Sequence, residues 1–266
     1  MKNKKLIKLE KILSKMGKVV VAYSGGADSA FLLKVAVDTL GGQNVLAVTA
    51  KSETYTSSEL KDAVKNAKKI GARQIIISTN ELKNPNFRKN PVNRCYYCKY
   101  ELFGELKKIA GKENIKFVID ASNVDDHKDY RPGAKAKKEL SVRSPLQEAG
   151  LDKEDIRQSS KKLGLVSWSK PAAACLASRL PYGEKIEVEK LRRIEKAEDF
   201  LRNLGFKQVR VRCHNNLARI EVPAGDISGT ERSRSKITKK LKALGFLYIT
   251  LDLQGYRTGS LNEAIK

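Results

Sequence analysis

In the N-terminal half of the chain the spacing of apolar residues keeps switching between two periods. Leu6, Leu9, Ile12 and Leu13 recur at helical intervals among lysines, which predicts an amphipathic helix over residues 5–16. Lys18–Tyr23 is then a β-branched run, stopped by Ser24-Gly25-Gly26, and Asp28–Val35 resumes a helical pattern. A strand therefore hands over to a helix through a glycine turn. The same alternation predicts strands at 44–49, 74–78 and 117–121, with helices at 57–70 and 96–110. Strands separated by helices of this size form a doubly wound parallel sheet of the α/β class, whose ligand site lies at the strands' C-terminal ends.

Beyond Lys170-Pro171 the texture changes. Residues 186–204 read as one long charged helix, and 208–213, 217–222 and 246–251 read as strands around a further basic helix at 231–244. Helices and antiparallel strands without a glycine turn predict a smaller α+β domain. The expected division is 1–175 and 176–266, with the linker between Ser167 and Glu187.

Composition narrows the class. A hydrophobic fraction of 41% and a charged fraction of 31% are those of a chain that buries a core, which excludes disorder and a disulfide scaffold. No secretory h-region and no membrane span is apparent, so a cytoplasmic protein without a membrane partner is expected. Lys and Arg number 53 against 30 Asp and Glu, a formal charge of +23. That charge asks for an anion without choosing one: ATP, a phosphorylated small molecule, RNA and an acidic membrane surface all fit. A lysine-rich chain with 2 Met also fits adaptation to high temperature, with no polyanion involved.

Ser24-Gly25-Gly26-Ala27-Asp28-Ser29 places two glycines, two hydroxyls and a helix N-terminus where a pyrophosphate can be cradled. Asp28 is out of place in a phosphate pocket unless it holds Mg²⁺. The plainer alternative is a tight turn with Asp28 or Ser29 as helix cap. The six residues after a valine-rich strand resemble the S-G-G-x-D-S loop of the PP-loop ATP pyrophosphatases. That resemblance implies cleavage of ATP to AMP and pyrophosphate, with AMP passing to a substrate oxygen that a nitrogen or sulfur nucleophile then displaces. Ser24, Gly25, Gly26, Asp28 and Ser29 are the nucleotide-binding candidates.

Four cysteines remain to be placed. Cys95-Tyr96-Tyr97-Cys98 is a C-x-x-C, able to share a metal or cluster, to form a redox disulfide, or to be two small hydrophobes opening a helix. Cys175 lies in a small-residue stretch beside Lys170 and Arg179, either of which can lower a thiol's pKa; a buried linker cysteine fits equally.

Asn93–Lys99, Ala121–Gly133 and Lys170–Arg179, taken with the glycine loop, resemble the LarE family of ATP-dependent sulfur transferases, and the order Arg210-Val211-Arg212, Arg219-Ile220-Glu221 is similar to that family's C-terminal domain. The resemblance implies sulfur insertion into pyridinium-3,5-biscarboxylic acid mononucleotide, giving a thiocarboxylate for the nickel-pincer nucleotide cofactor. In one version of that chemistry a cysteine matching Cys175 gives up its own sulfur; in the other, three cysteines hold a [4Fe-4S] cluster carrying an extra sulfide. Cys95, Cys98 and Cys175 favour the cluster. The resemblance further assigns catalytic roles to Cys175, Lys99, Ser178 and Arg179, binding roles to Arg210 and Arg212, and a metal or substrate contact to Glu198. Asp125, Asp126 and Asp129 are candidates to join Asp28 around Mg²⁺, and Cys213 reads as structural. The expected partners are a mononucleotide substrate and further copies of the chain in a homo-oligomer, a hexamer being one form. Three competitors stand beside this reading: a tRNA thiolase, which would explain the charge but for which 6% aromatic residues offer few stacking platforms; an ammonia-fed amide-forming ligase with inert cysteines; and a non-enzymatic nucleotide-binding subunit.

Overall fold

A computed structural model describes residues 4–128, 131–170 and 174–265. The chain begins with α1 (Lys4–Met16), β1 (Val19–Ala22), α2 (Ala27–Leu40), β2 (Val45–Lys51), α3 (Ser57–Ile70) and β3 (Arg73–Ser78). It continues through a short α4 (Pro85–Arg88), the long α5 (Arg94–Lys112), β4 (Phe117–Ile119), α6 (Gly133–Glu139), α7 (Pro145–Ala149) and α8 (Lys153–Lys162). The C-terminal part holds α9 (Val188–Asn203), β5 (Arg210–His214), β6 (Leu217–Glu221), α10 (Ile227–Arg232), α11 (Arg234–Ala243) and β7 (Tyr248–Leu251).

These elements form two compact units, one of residues 1–81 and 93–173, the other of 82–92 and 174–266. In the first, four parallel strands lie in the order β3-β2-β1-β4. Val19, Val21, Val45 and Ala47 point to a core shared with α1, α2, α3, α7 and α8, whereas Val20, Leu46 and Val48 pack with Phe103, Leu106 and Ala110 of α5. Both faces are covered, which is why β1 reads as an unbroken apolar run rather than an alternating one. Two local signals fix the element beside the glycine turn. Thr56 and Glu59 form a reciprocal capping box that starts α3, and Gly71 ends it at φ 81°. Winding reverses between β1 and β4, so the crevice beyond their C-terminal ends is the topological switch point.

In the second unit α9 lays Leu191, Ile194, Ala197 and Leu201 inward, and β5 and β6 form a hairpin through Asn215 at φ 53°. Two expectations are corrected here. β7 runs parallel to β6, not antiparallel, because the helices α10 and α11 between them form a crossover, the connection that parallel strands require. The single helix expected at 231–244 is two, broken at Ser233, whose N–H turns back to the Gly229 and Thr230 carbonyls.

The segment 82–92 departs from the expected division at 175/176 by belonging with the second unit. Asn90, fully buried at φ 53°, donates through Nδ2 to the Pro181 carbonyl at 2.7 Å, while its own carbonyl accepts from Gly183 N at 2.9 Å. Backbone pairing from Ile186 N to the Arg88 carbonyl extends the seam.

Candidate functional site

The turn after β1 is shaped by its glycines. Gly25 has φ +71°, and a Cβ there would stand 2.7 Å from the Ala63 Cβ of α3, so both backbone conformation and space exclude a side chain. Gly26 caps α2 without any side-chain hydrogen bond. Without a side-chain cap, the start of α2 presents the positive end of its helix dipole, where an anion can be held. Ser24 and Ser29 hydroxyls meet at 3.1 Å, and Tyr55 donates its phenol proton to the Ser24 carbonyl, a clamp that the sequence did not suggest.

Asp28 connects this turn to the loop after β4. Its Oδ2 accepts from Asn123 Nδ2 at 3.0 Å, and Asn123 is fully buried, with its backbone N–H donating to Asp126 Oδ2 at 3.1 Å. Burial, and next the nearby Asp126 charge, push the Asp28 carboxyl above its ordinary range. A divalent cation bound to triphosphate would relieve both penalties. Among the described residues no three His, Cys, Asp or Glu side chains converge on a metal position. Of the further carboxylates, Asp126 is brought beside Asp28; Asp125 accepts from Lys153 N at 3.0 Å, at the start of α8. Asp129 lies outside the described residues, as do Pro171–Ala173 of the Cys175 motif.

Cys95 and Cys98 occupy the first turn of α5, Cys95 exposed and Cys98 half-buried, with Lys99 beside them over the Phe103 ring at 5.3 Å. Facing Cys98 is a residue that periodicity did not single out. Glu81 is buried, accepts from Thr79 Oγ1 at 3.1 Å, and receives the Cys98 thiol at 3.7 Å. Burial raises its pKa as well. Lys170 is paired with Asp62 at 2.6 Å.

The second unit gathers arginines. Arg179 is buried, and its guanidinium is divided between Glu198, at 2.8 and 3.0 Å, and the carbonyls of Ala174 and Cys175, at 2.6 and 3.1 Å. It therefore holds the backbone of the Cys175 loop, with the thiol itself exposed. Ser178 adds to the same turn by donating to the Cys175 carbonyl at 2.8 Å. Glu198 is fully buried and accepts also from Arg202 at 2.7 Å and from Val211 N at 3.1 Å, which employs it in holding arginines rather than offering it to a metal. Burial alone would raise its pKa, but Arg179, then Arg210 and Arg202, bring it below the ordinary carboxylate value. Across the hairpin, Glu221 takes both arms of Arg212 at 2.9 Å and Arg219 at 3.2 Å. Arg210, itself buried, is destabilised as a cation by that burial and next by Arg179. Five guanidinium groups thus surround Glu198 and Glu221, and Arg202 and Arg219 find further relief in Asp199 and Asp252 at the margin. Five guanidinium groups against these four carboxylates leave the cluster with a positive charge that suits an anion such as phosphate. Cys213, by contrast, is buried beneath Arg193, and burial pushes its thiol up.

Glu198 had a signal in the sequence: it falls in the Leu191, Ile194, Leu201 stripe of α9, where a carboxylate must find cations. Among the described residues no helix is long and apolar enough to cross a membrane.

The NAD synthase family model matches residues 3–90, the part containing the glycine turn. The chain is 39% identical over 253 residues, covering 95% of it and 92% of the relative, to the pyridinium-3,5-bisthiocarboxylic acid mononucleotide synthase of Lactiplantibacillus plantarum. It is 47% identical over 263 residues, 98% of each chain, to an uncharacterized protein of Synechocystis sp.. A further uncharacterized protein, from Methanocaldococcus jannaschii, is 35% identical over 258 residues, 96% of this chain and 98% of that one.

Proposed function

The chain belongs to the LarE family of ATP-dependent sulfur transferases, enzymes of the PP-loop ATP pyrophosphatase type, and from that membership we propose that it converts pyridinium-3,5-biscarboxylic acid mononucleotide into a thiocarboxylate. ATP lies with its phosphates on the Ser24–Ser29 turn, and Asp28 carries the Mg²⁺. A substrate carboxylate oxygen attacks the α-phosphate, the bond to pyrophosphate breaks, and the resulting acyl adenylate is opened by a sulfur nucleophile that expels AMP. The observation that carries this reading is the turn itself: Gly25 pressed on Ala63, an uncapped α2 and a buried Asp28 that calls for a cation.

Cys95, Cys98 and Cys175 are the residues that would hold a [4Fe-4S] cluster, which when bound supplies a loosely held sulfide for that displacement. Their chemistry fits thiolate ligation: none of the three is in a disulfide, Cys95 and Cys175 are exposed and Cys98 is half-buried, unlike buried Cys213. Arg179 and Ser178 keep the Cys175 backbone in place, and Arg210 and Arg212 bind the substrate phosphate, with Lys99 as a further cation beside the C-x-x-C. The reading includes a cytoplasmic homo-oligomer, up to a hexamer, whose mass sedimentation would give.

The deciding experiment incubates anaerobically purified protein with ATP·Mg²⁺ and the mononucleotide. Pyrophosphate, AMP and a product in which oxygen is replaced by sulfur are expected, together with an iron–sulfur chromophore and an unchanged protein mass. Loss of H₂S from Cys175 would move the sulfur source to the cysteine itself. Pyrophosphate release that does not require the mononucleotide, or an unaltered acid, would overturn the proposal.

A further inference from the structure

The C-terminal segment is seated on the arginine cluster by contacts that secondary structure does not demand. Gly255, at φ +70°, runs so close to β6 that a Cβ would stand 2.6 Å from the Val222 carbonyl, and Tyr256 N donates to that carbonyl at 2.8 Å. Arg257 then pairs with Glu263 at 3.1 Å, and the Tyr182 phenol donates to Asn262 Oδ1 at 2.9 Å. So anchored, the segment puts the Tyr256 ring 5.6 Å from the Arg210 guanidinium and the Ser260 hydroxyl 2.8 Å from Arg212 Nη2.

The donor pattern of Arg212 gives Ser260 its meaning. Nε and one N–H of Nη2 go to Glu221, and Nη1 donates to the Ser178 carbonyl at 2.7 Å. The second N–H of Nη2 goes to Ser260 Oγ, which is therefore an acceptor toward the arginine and keeps its own proton for another acceptor. A hydroxyl polarised by a guanidinium is a strengthened donor. The same Arg212 reaches, through Ser178, the turn that begins at Cys175, so an oxyanion on this edge lies in the unit that carries that cysteine.

We infer that Ser260 is a ligand of the substrate's phosphate and that Tyr256 is a positioning residue, its ring holding Arg210 against the same group. The inference rests on the reading of Arg210 and Arg212 as the phosphate site. The ring gives a buried guanidinium a cation–π partner without neutralising it, so Arg210 keeps its charge for the ligand.

The test measures Kd by calorimetry on the full chain, for the pyridinium mononucleotide and for its dephosphorylated nucleoside. Ser260→Ala should weaken mononucleotide binding roughly tenfold, as expected for one hydrogen bond to a charged group, and leave nucleoside and ATP binding unchanged. Ser260→Thr should restore it. Tyr256→Leu should weaken the mononucleotide alone, and Tyr256→Phe should rescue. Equal loss for mononucleotide and nucleoside, or no loss for either, overturns the inference. Arg212→Gln separates the two levels: if it weakens mononucleotide binding where Ser260→Ala does not, the segment's role fails and the phosphate site stands. If neither variant has an effect, both fail.

Discussion

The groups proposed to face a nucleotide in the first unit are six consecutive residues between β1 and α2, and most of what they offer is main-chain N–H. The cationic groups of the second unit come from Arg179, Arg202, Arg210, Arg212 and Arg219, brought together on two buried carboxylates. Main-chain donors do not titrate, and they fail when the backbone cannot follow its path. Guanidinium groups are insensitive to small shifts of the backbone but fail when the anions that hold them are removed. The first site is thus vulnerable to added volume and the second to lost charge.

The sharpest break in this comparison is Gly25→Val. With φ +71° and Ala63 at 2.7 Å from the added Cβ, the turn must move, and pyrophosphate release should fall by about 100-fold or more while the second unit melts unchanged. Retained activity would show that the turn does not cradle phosphate.

Glu198→Gln attacks the other unit. Removing the charge leaves Arg179 buried opposite a neutral amide, and a loss of about 3–5 kcal/mol is expected, seen as a fall in melting temperature on the order of 10 °C. ATP binding to the first unit should survive.

Acidity separates the two units by sign. Glu198 titrates below its unfolded value of 4.5, so its contribution is intact above that pH and fades as the pH falls through its lower folded value. Asp28 does the reverse. Its folded pKa lies above the unfolded 3.8, so the folded chain is favoured as pH drops through the folded value and is penalised above it. Asp28→Asn should therefore raise the melting temperature by a few degrees at pH 7, roughly the effect of one kcal/mol, with the gain shrinking toward pH 4 and activity lost throughout. A variant that melts lower at pH 7 would remove the claim that Asp28 is held against its preference. The smallest effect is expected for Thr56→Ala, which breaks the capping box of the helix that abuts Gly25. About 1 kcal/mol of stability should go, measured by urea unfolding, with little change in Kd for ATP.

What was legible in the sequence follows the same division. The first unit's strands and glycine turn are local: β-branched runs, a Gly-Gly pair and a helix pattern lie side by side, and the expected helix at 57–70 has the observed bounds because Thr56 and Gly71 mark both ends. The roles of the arginines were not local. Arg179 reads as a catalytic cation until its partners Glu198, nineteen positions on, and the Cys175 carbonyl are seen together. Strand direction failed for a related reason, since the sense of β7 depends on how α10 and α11 carry the chain back, which no run of six residues encodes. Much of the net charge of +23 is surface lysine, while the buried cations whose placement matters are arginines with named partners.

The position of Asn90 carries a consequence in time. Its side chain and backbone are buried against partners that begin 90 residues later in the chain, at Leu180. At a synthesis rate of about 5–20 residues per second, segment 82–92 waits roughly 5–18 s on the ribosome for Pro181 to follow it. A pause in translation before residue 181 would lengthen the exposure of Phe87 and the backbone groups of Arg88 and Asn90.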